Sequence, residues 1–278
     1  INNFDLNSNF IFNNLFKILK VKKKLELDDL AYLIAPILNS AGRLSNANQI
    51  VELFTTQSDD IKIKILKKIF ELNQKRKLIE KRFLLNFQFN DLHKLKGVIF
   101  IYEPNIPEGI IGIIASRIKE YYNRPCIVLT NSNDIIKGSA RSTLNFDIGK
   151  FINNAVDEKI ILSGGGHNLA AGVSLLKSKI EIFKKFINKY YEKNTPLLIN
   201  YYTSKIFPNS INKKLINEIN ILGPFGNKNV NPIFLIENVK IVKPKIIKGR
   251  FISCLIKYDY KFIKAMSFNH LNTKISYE

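Results

Sequence analysis

Long apolar runs are missing from this sequence: no stretch of about 18 hydrophobic residues occurs, so nothing reads as a membrane-spanning helix. The N-terminus also lacks the basic, then apolar, then small-residue order of a signal peptide. The expectation is a soluble, cytoplasmic protein without a membrane partner. Cysteine is nearly absent as well. Cys126 and Cys254 lie far apart inside apolar, strand-like segments with neither C-x-x-C spacing nor a nearby histidine, and they read as buried free thiols. Methionine occurs once, at position 266, and the first residue is isoleucine, so the chain reads as a piece cut from a longer product. Acid is short too: 23 Asp and Glu face 43 Lys and Arg, a formal net charge of +20. That balance favours a polyanionic partner, with nucleic acid, an anionic membrane surface and a lysine-rich compositional bias as the open explanations.

What remains is ample for folding. The 278 residues are 46% hydrophobic, enough for two or three domains at roughly 100–200 residues each. From Asn13 to Val21 the apolar positions suit a helical face, followed by an exposed run, Lys22–Lys24. A second helical stretch follows Asp28 and Asp29 and must break or kink at Pro36. In A-P-I-L-N-S-A-G-R-L-S, Asn39 and Arg43 stand four apart, on one face if the helix persists, where they could hold a phosphate oxygen. The alternative is a helix capped by Gly42 with Arg43 in solvent. Ile61–Leu85 then predicts a long amphipathic helix with a basic outer face.

Near Gly97 the pattern changes to strands alternating with helices, which indicates an α/β unit. The expected strands are G-V-I-F-I-Y, C-I-V-L-T, a strand beginning at Ile135, and K-I-I-L-S. After the last comes L-S-G-G-G-H-N-L-A-A-G-V-S-L. Gly164, Gly165 and Gly166 are free to adopt positive φ and turn their amides toward one anion, with His167 beside them; a tight structural turn is the other reading. In G-S-A-R-S, Ser139 and Arg141 share a strand face and Ser142 adjoins, a second set of groups suited to phosphate. Two such segments in one unit favour an anion-binding cleft. Beyond Pro196 a linker begins, Ser210 is placed to cap a helix through Leu222, and Ile233–Val242, Ile246–Tyr258 and Tyr260–Phe268 alternate like β-strands, with a hairpin tip at Lys257–Lys261. Basic and aromatic side chains interleave there, as in part of a small nucleic-acid-binding barrel.

I-A-P-I-L-N-S-A-G-R-L, E-L-N-Q-K-R, E-G-I-I-G-I-I-A-S-R-I, K-G-S-A-R-S, G-G-G-H-N-L-A-A-G-V-S-L and L-G-P-F-G-N-K-N-V-N-P-I-F, in that order, resemble the RecJ single-strand-specific exonucleases of the DHH phosphoesterase superfamily. The resemblance implies an α/β fold in four parts. Residues 1–60 would be the end of the catalytic DHH domain, 61–91 a connecting helix, 92–196 the DHH-associated α/β domain, and 197–278 a partial OB-like barrel. It implies 5′–3′ hydrolysis of single-stranded DNA in repair and recombination by the intact protein, using paired Mn²⁺ or Mg²⁺. No D-x-D or D-H-H occurs here, and His93, His167 and His270 stand apart from carboxylate clusters, so no metal ligands are expected in this chain, which alone should be inactive.

By the same resemblance Asn39 and Arg43 would face the cleft, Ser139, Arg141, Ser142 and Gly164–Gly166 would grip the DNA backbone, and His167 would touch the scissile phosphate. One departure stands out: Ile106-Pro107 replaces the Trp-His of many relatives. The implied partner is single-stranded DNA, handled by a monomer that meets single-strand-binding protein or a helicase. The rival functions are a DHH phosphodiesterase for short oligonucleotides or cyclic dinucleotides, and a non-catalytic nucleic-acid-binding module.

Overall fold

The structure, a computed structural model, describes residues 9–21, 29–86, 97–194, 201–226, 229–247 and 251–268. Lys22–Lys24, Asp28, His93, His270 and the expected end of the connecting helix at 87–91 lie outside them. Two compact units are present, Ile1–Pro196 and Leu197–Glu278.

The first unit begins with helices. In α1 (Phe10–Leu19) the Asn9 carboxamide accepts from the Ile11 and Phe12 amides at 3.0 and 3.4 Å, which moves the helix start ahead of the expected Asn13. A π-helical turn, Leu30–Ile34, runs directly into α2 (Ala35–Leu44), with Pro36 in its first turn. Proline lacks an amide hydrogen and crowds the preceding turn, and the wider π turn ahead of it absorbs both demands. Helix α2 does not stop at Gly42. It continues to Leu44, so Gly42 is no cap and Arg43 stays on the helix. Then come α3 (Asn48–Thr55) and α4 (Asp59–Asn86), the latter about 42 Å long at 1.5 Å per residue. Leu15, Ile37, Leu53, Leu66 and Ile69 form the core of this helical part. Buried Ser40 places its hydroxyl 2.5 Å from the Ile37 carbonyl and 3.0 Å from that of Ile69, tying α2 to α4.

The α/β part follows as β1 (Ile99–Tyr102), α5 (Glu108–Tyr122), β2 (Cys126–Ser132), β3 (Ile135–Arg141), α6 (Ile148–Asp157), β4 (Ser163–His167), β5 (Ala170–Leu175) and α7 (Ile180–Asn194). Its sheet has the order β1-β2-β3-β5-β4, parallel only between β1 and β2. Two expectations are corrected here. K-I-I-L is not a strand: Lys159 turns left-handed (φ 56°), and the Ile160 and Ile161 amides both reach back to the Ala155 carbonyl, finishing α6. Nor is Gly164–Gly166 a nest. The triplet is strand β4 itself, none of the three has positive φ, and its amides are oriented by pairing with β5.

One face of the sheet is apolar throughout. Ile127, Leu129, Ile136, Val173 and Leu175 meet Phe151 and Ile152 of α6 and Phe183 and Ile187 of α7. The other face is divided. Over β1 and β2, Ile99, Ile101, Cys126 and Val128 pack on Ile110, Ile114 and Ile118, a stripe of four-residue spacing on α5, each worth about 1.5–3 kcal/mol when buried. Leu44 of α2 and Phe83 of α4 pack against the same cluster. Over β3, β5 and β4 that face carries polar and small residues instead.

In the second unit, α8 (Lys213–Ile221) is capped by Asn212, whose side chain accepts from the Leu215 amide at 3.0 Å; Ser210, the expected cap, sits in a short 3₁₀ turn just before. Strands β6 (Ser204–Lys205) and β7 (Phe234–Leu235) pair in parallel. Strands β8 (Lys240–Ile247), β9 (Phe251–Tyr258) and β10 (Lys261–Ser267) form an antiparallel sheet, with Asp259 left-handed at the β9–β10 tip where the hairpin was expected. A bulge between Val242 and Lys245 takes up Pro244, which cannot donate to a ladder. Cys126 and Cys254 are buried free thiols. Among the described residues no helix is long and apolar enough to cross a membrane.

The glycines of β4 are not equivalent. A Cβ on Gly166 would stand 2.2 Å from the Ala170 carbonyl oxygen, whereas one on Gly165 meets nothing within 4 Å. Gly166→Ala is therefore expected to cost about 1–3 kcal/mol in urea unfolding and Gly165→Ala no more than about 0.5 kcal/mol.

Candidate functional site

The polar half of the divided face is laid out by register. Residues directly opposite each other across a ladder share a face, so Arg141, Ala170 and His167 form one row, Ser139, Gly172 and Gly165 the next, and Lys137, Ser174 and Ser163 a third. Rows are about 6.8 Å apart and neighbouring strands about 4.8 Å. In the middle row the floor is bare backbone, because a Cβ at Gly165 or Gly172 would meet nothing within 4 Å.

Helix α5 forms one wall. Its Gly112 faces the first two rows, where a Cβ would lie 3.1 Å from both Arg141 Nη2 and Ser139 Oγ. Its Gly109 lies against the backbone of Arg43, where a Cβ would stand 2.2 Å from the Arg43 carbonyl oxygen, and the Arg43 Nη1 donates to the Gly109 carbonyl at 2.8 Å. The result is an open groove of about 360 Å³, within the range of small-molecule sites, lined by Arg43, Arg141, Ser139, Lys137, Ser174 and Glu108 among others. Arg141 Nη1 donates to Ser139 Oγ at 3.0 Å and to the Ala140 carbonyl at 2.8 Å, which fixes the guanidinium.

The electrostatics are one-sided at this end. Among the described residues no carboxylate pairs with Arg43 or Arg141. Behind Arg43 lies Arg76, only 7% exposed, held by Glu80 at 3.0 Å; Glu80 also holds Arg117 of α5 at 3.0 Å. Burial, and then the charge of Arg76, lowers the pKa of Arg43; burial, and then the charge of Arg43, lowers that of Arg141. Guanidinium groups start so high that both remain cations. Two half-buried like charges repel each other, and a bound anion relieves that repulsion. Phosphate, planar on each O–P–O edge, matches the guanidinium fork.

Of the residues singled out in the sequence, Arg43, Ser139 and Arg141 line the groove together, and the backbone of Gly164 borders it. Gly165 belongs to its floor, whereas Gly164 and Gly166 turn to the α6 side. His167 is exposed at the end of the first row, about 10 Å from Arg141 at two strand spacings. Asn39 is exposed one turn before Arg43 and does not line the groove. Ser142 leaves the set: it is 3% exposed and donates to the Phe146 carbonyl at 2.6 Å, closing the loop into α6. Lys137, Glu108, Gly172 and Ser174 were not anticipated. Period two through K-G-S-A-R would have found Lys137, but Gly172 and Ser174 are placed only by the β3–β5 register.

The groove does not fit a divalent cation, since its lone lining carboxylate, Glu108, stands among three cations. Among the described residues no cluster of His, Cys, Asp and Glu could hold a metal ion. At Ile106-Pro107, Ile106 is buried and Pro107 precedes the first turn of α5, so no imidazole reaches the groove from there.

Anion relief has a measurable consequence. Inorganic phosphate should raise the melting temperature of the chain, by the equivalent of about 2.7 kcal/mol at a hundredfold excess over Kd. Arg141→Gln should abolish most of that rise.

Comparison with known proteins gives a consistent picture. Residues 95–193 match the DHHA1 domain and residues 203–277 the RecJ OB domain. The single-stranded-DNA-specific exonuclease RecJ of Haemophilus influenzae is 34% identical over 170 residues, 58% of this chain and 30% of the relative; that of Escherichia coli K12 is 26% identical over 248 residues, 84% and 43% respectively. The crystal structure of RecJ in complex with Mn²⁺ from Thermus thermophilus superposes on 96% of this chain and 40% of its own, with a TM-score of 0.75 at 22% identity, a likeness of fold. The chain thus spans between about a third and under half of the length of these relatives.

Proposed function

Because the chain belongs to the RecJ family of the DHH superfamily, we propose that it is the strand-gripping portion of a RecJ-like exonuclease, which hydrolyses single-stranded DNA from the 5′ end in repair and recombination. The observation that carries this reading is the Arg43–Arg141 pair, with no counter-ion among the described residues, beside a floor of bare backbone at Gly172 and Gly165. In it, 1–60 is the end of the DHH domain, 61–91 the connecting helix, 92–196 the DHHA1 domain and 197–278 the OB-like domain.

Arg43 and Arg141 take the phosphate between them. Ser139 holds Arg141 in place through its hydroxyl, and the Gly164–Gly166 strand lets the DNA backbone approach the sheet with no side chain in the way. His167 donates to a phosphate oxygen further along the strand, and Asn39, exposed one turn before Arg43, meets the strand outside the groove. Solved RecJ relatives contain Mn²⁺ or Mg²⁺. In this reading the ions of the intact enzyme, whose role is to activate the attacking water, are held outside the groove, and the groove presents the strand to them.

The second unit supports the same assignment. Tyr260 and Phe262 are exposed beside Lys257, Lys261 and Lys264, and the Lys257 ammonium lies 6.0 Å from the Phe262 ring centre. Exposed aromatics offer stacking to unpaired bases, and lysines follow the backbone.

Fluorescence anisotropy with labelled single strands tests the reading. Arg141→Ala should weaken binding about tenfold and reduce the salt slope by about one, with a smaller loss for His167→Ala and no loss of folding in either. Unaltered binding by both variants overturns the site. Tighter binding of di- or trinucleotides than of long strands would favour a short-oligonucleotide phosphodiesterase. Incubated with Mn²⁺, this chain should leave strands intact; cleavage that survives repurification would place the metal chemistry within it.

A further inference from the structure

The groove does not end at its arginines. Along β3, Lys137 lies about 13 Å from Arg141, four residues at a strand's rise. Its row continues to Ser174, 8% exposed, and Ser163. Glu108 stands at this end too, because its carboxylate accepts from Ser132 Oγ at 2.9 Å, and Ser132 pairs with Ile135, one alternate position from Lys137. Among the described residues no hydrogen bond or ion pair commits the Lys137 ammonium or the Ser174 hydroxyl to a protein partner, and both line the cavity.

The two ends therefore differ in chemistry. At Arg43 and Arg141 only donors and positive charge are offered, which suits a phosphate. At Lys137, Ser174 and Glu108 a cation, a hydroxyl and a carboxylate stand together, and the carboxylate repels a second phosphate. A group bearing both N–H donors and carbonyl or ring-nitrogen acceptors satisfies all three. Between the ends, the bare backbone of Gly172 and Gly165 leaves room for a ring to lie on the peptide planes.

We propose that Lys137, Ser174 and Glu108 form a nucleobase subsite, so that the groove holds one whole nucleotide: phosphate on Arg43 and Arg141, sugar over Gly172 and Gly165, base edge against Lys137 and Glu108. The assignment rests on the phosphate reading of the arginine end, and it gives that end a partner that measures the length of a nucleotide. Lys137 donates to a base carbonyl, Glu108 accepts from a base amino or imino group through its remaining lone pairs, and Ser174 supplies the adaptable contact. Binding by both ends at once favours an unpaired residue, because a base engaged in a duplex has its edge already occupied.

Competition against a labelled single strand on this chain separates the two ends, using inorganic phosphate, 2-deoxyribose 5-phosphate and deoxyguanosine 5′-monophosphate. The nucleotide should compete about tenfold better than the sugar phosphate, a difference of about 1.4 kcal/mol. Lys137→Ala and Glu108→Gln should each narrow that gap to about threefold or less while inorganic phosphate competes within about threefold of its wild-type strength. Arg141→Ala should weaken all three competitors, with folding checked by melting. Equal competition by nucleotide and sugar phosphate, or an unchanged gap in both variants, overturns the base subsite while leaving the phosphate site standing. Failure of all three to compete overturns the phosphate site and the subsite with it.

Discussion

The closest approach on which the groove depends is between two backbones, Gly109 at the start of α5 and Arg43 near the end of α2. No side chain could stand between them: a Cβ at 109 would be 2.2 Å from the Arg43 carbonyl oxygen. This contact, made where a helix of the N-terminal part crosses one of the α/β part, sets the height and direction of the Arg43 side chain. The hydrogen bond from its guanidinium back to the Gly109 carbonyl then holds it over the sheet. Further along, Glu80 of α4 and Arg117 of α5 pair at 3.0 Å and fasten the same two parts a second time. The position of a cation is thus decided by packing, and the positive end of the groove exists because the packing brings Arg43 to Arg141.

The divided face of the sheet is the other half of that arrangement. Helix α5 lays its isoleucine stripe over β1 and β2 and meets β3 through Gly112, which has no side chain, so Ser139 and Arg141 reach the groove beside it. Burying Ser139, Arg141 and Lys137 beneath a helix would leave charges without water or partners, at a cost of several kcal/mol each. On the opposite face the sheet stays apolar, and Phe151 of α6 and Phe183 of α7, stacked at 6.0 Å between ring centres, join the two helices that cover it.

Most of the secondary structure was legible in the chain. The isoleucine stripe of α5, the buried strands β1 and β2, the long α4 and the β9–β10 hairpin all carry periodic patterns that one residue type repeats. The misread places share a cause. K-I-I-L-S has the composition of a strand, but its amides are needed to finish α6, and S-G-G-G-H has the composition of a turn, but pairing with β5 draws it into the sheet. In the first, hydrogen bonds at the helix end outweighed strand composition; in the second, pairing with a strand further along the chain outweighed turn composition, each by more than the fraction of a kcal/mol that local preference supplies. Ser142 was misjudged for a similar reason: it neighbours Arg141 in sequence, yet successive strand residues point to opposite faces, and the next step of the chain turns it inward to Phe146.

What the residues by themselves determined was the kind of chemistry: an excess of cations, serines and an arginine at a strand end, and glycines where a ligand could approach. These are properties of composition and period, and they survive any arrangement of the helices and strands. What only the tertiary structure decided was which of these groups meet. Arg43 is far from Arg141 along the chain, and Gly172, Ser174 and Glu108 join the groove through register and helix crossing, neither of which has a local signature. Strand register and the contact at Gly109 are settled by burial and hydrogen bonding across the whole unit, so the groove takes its shape only when the unit has folded.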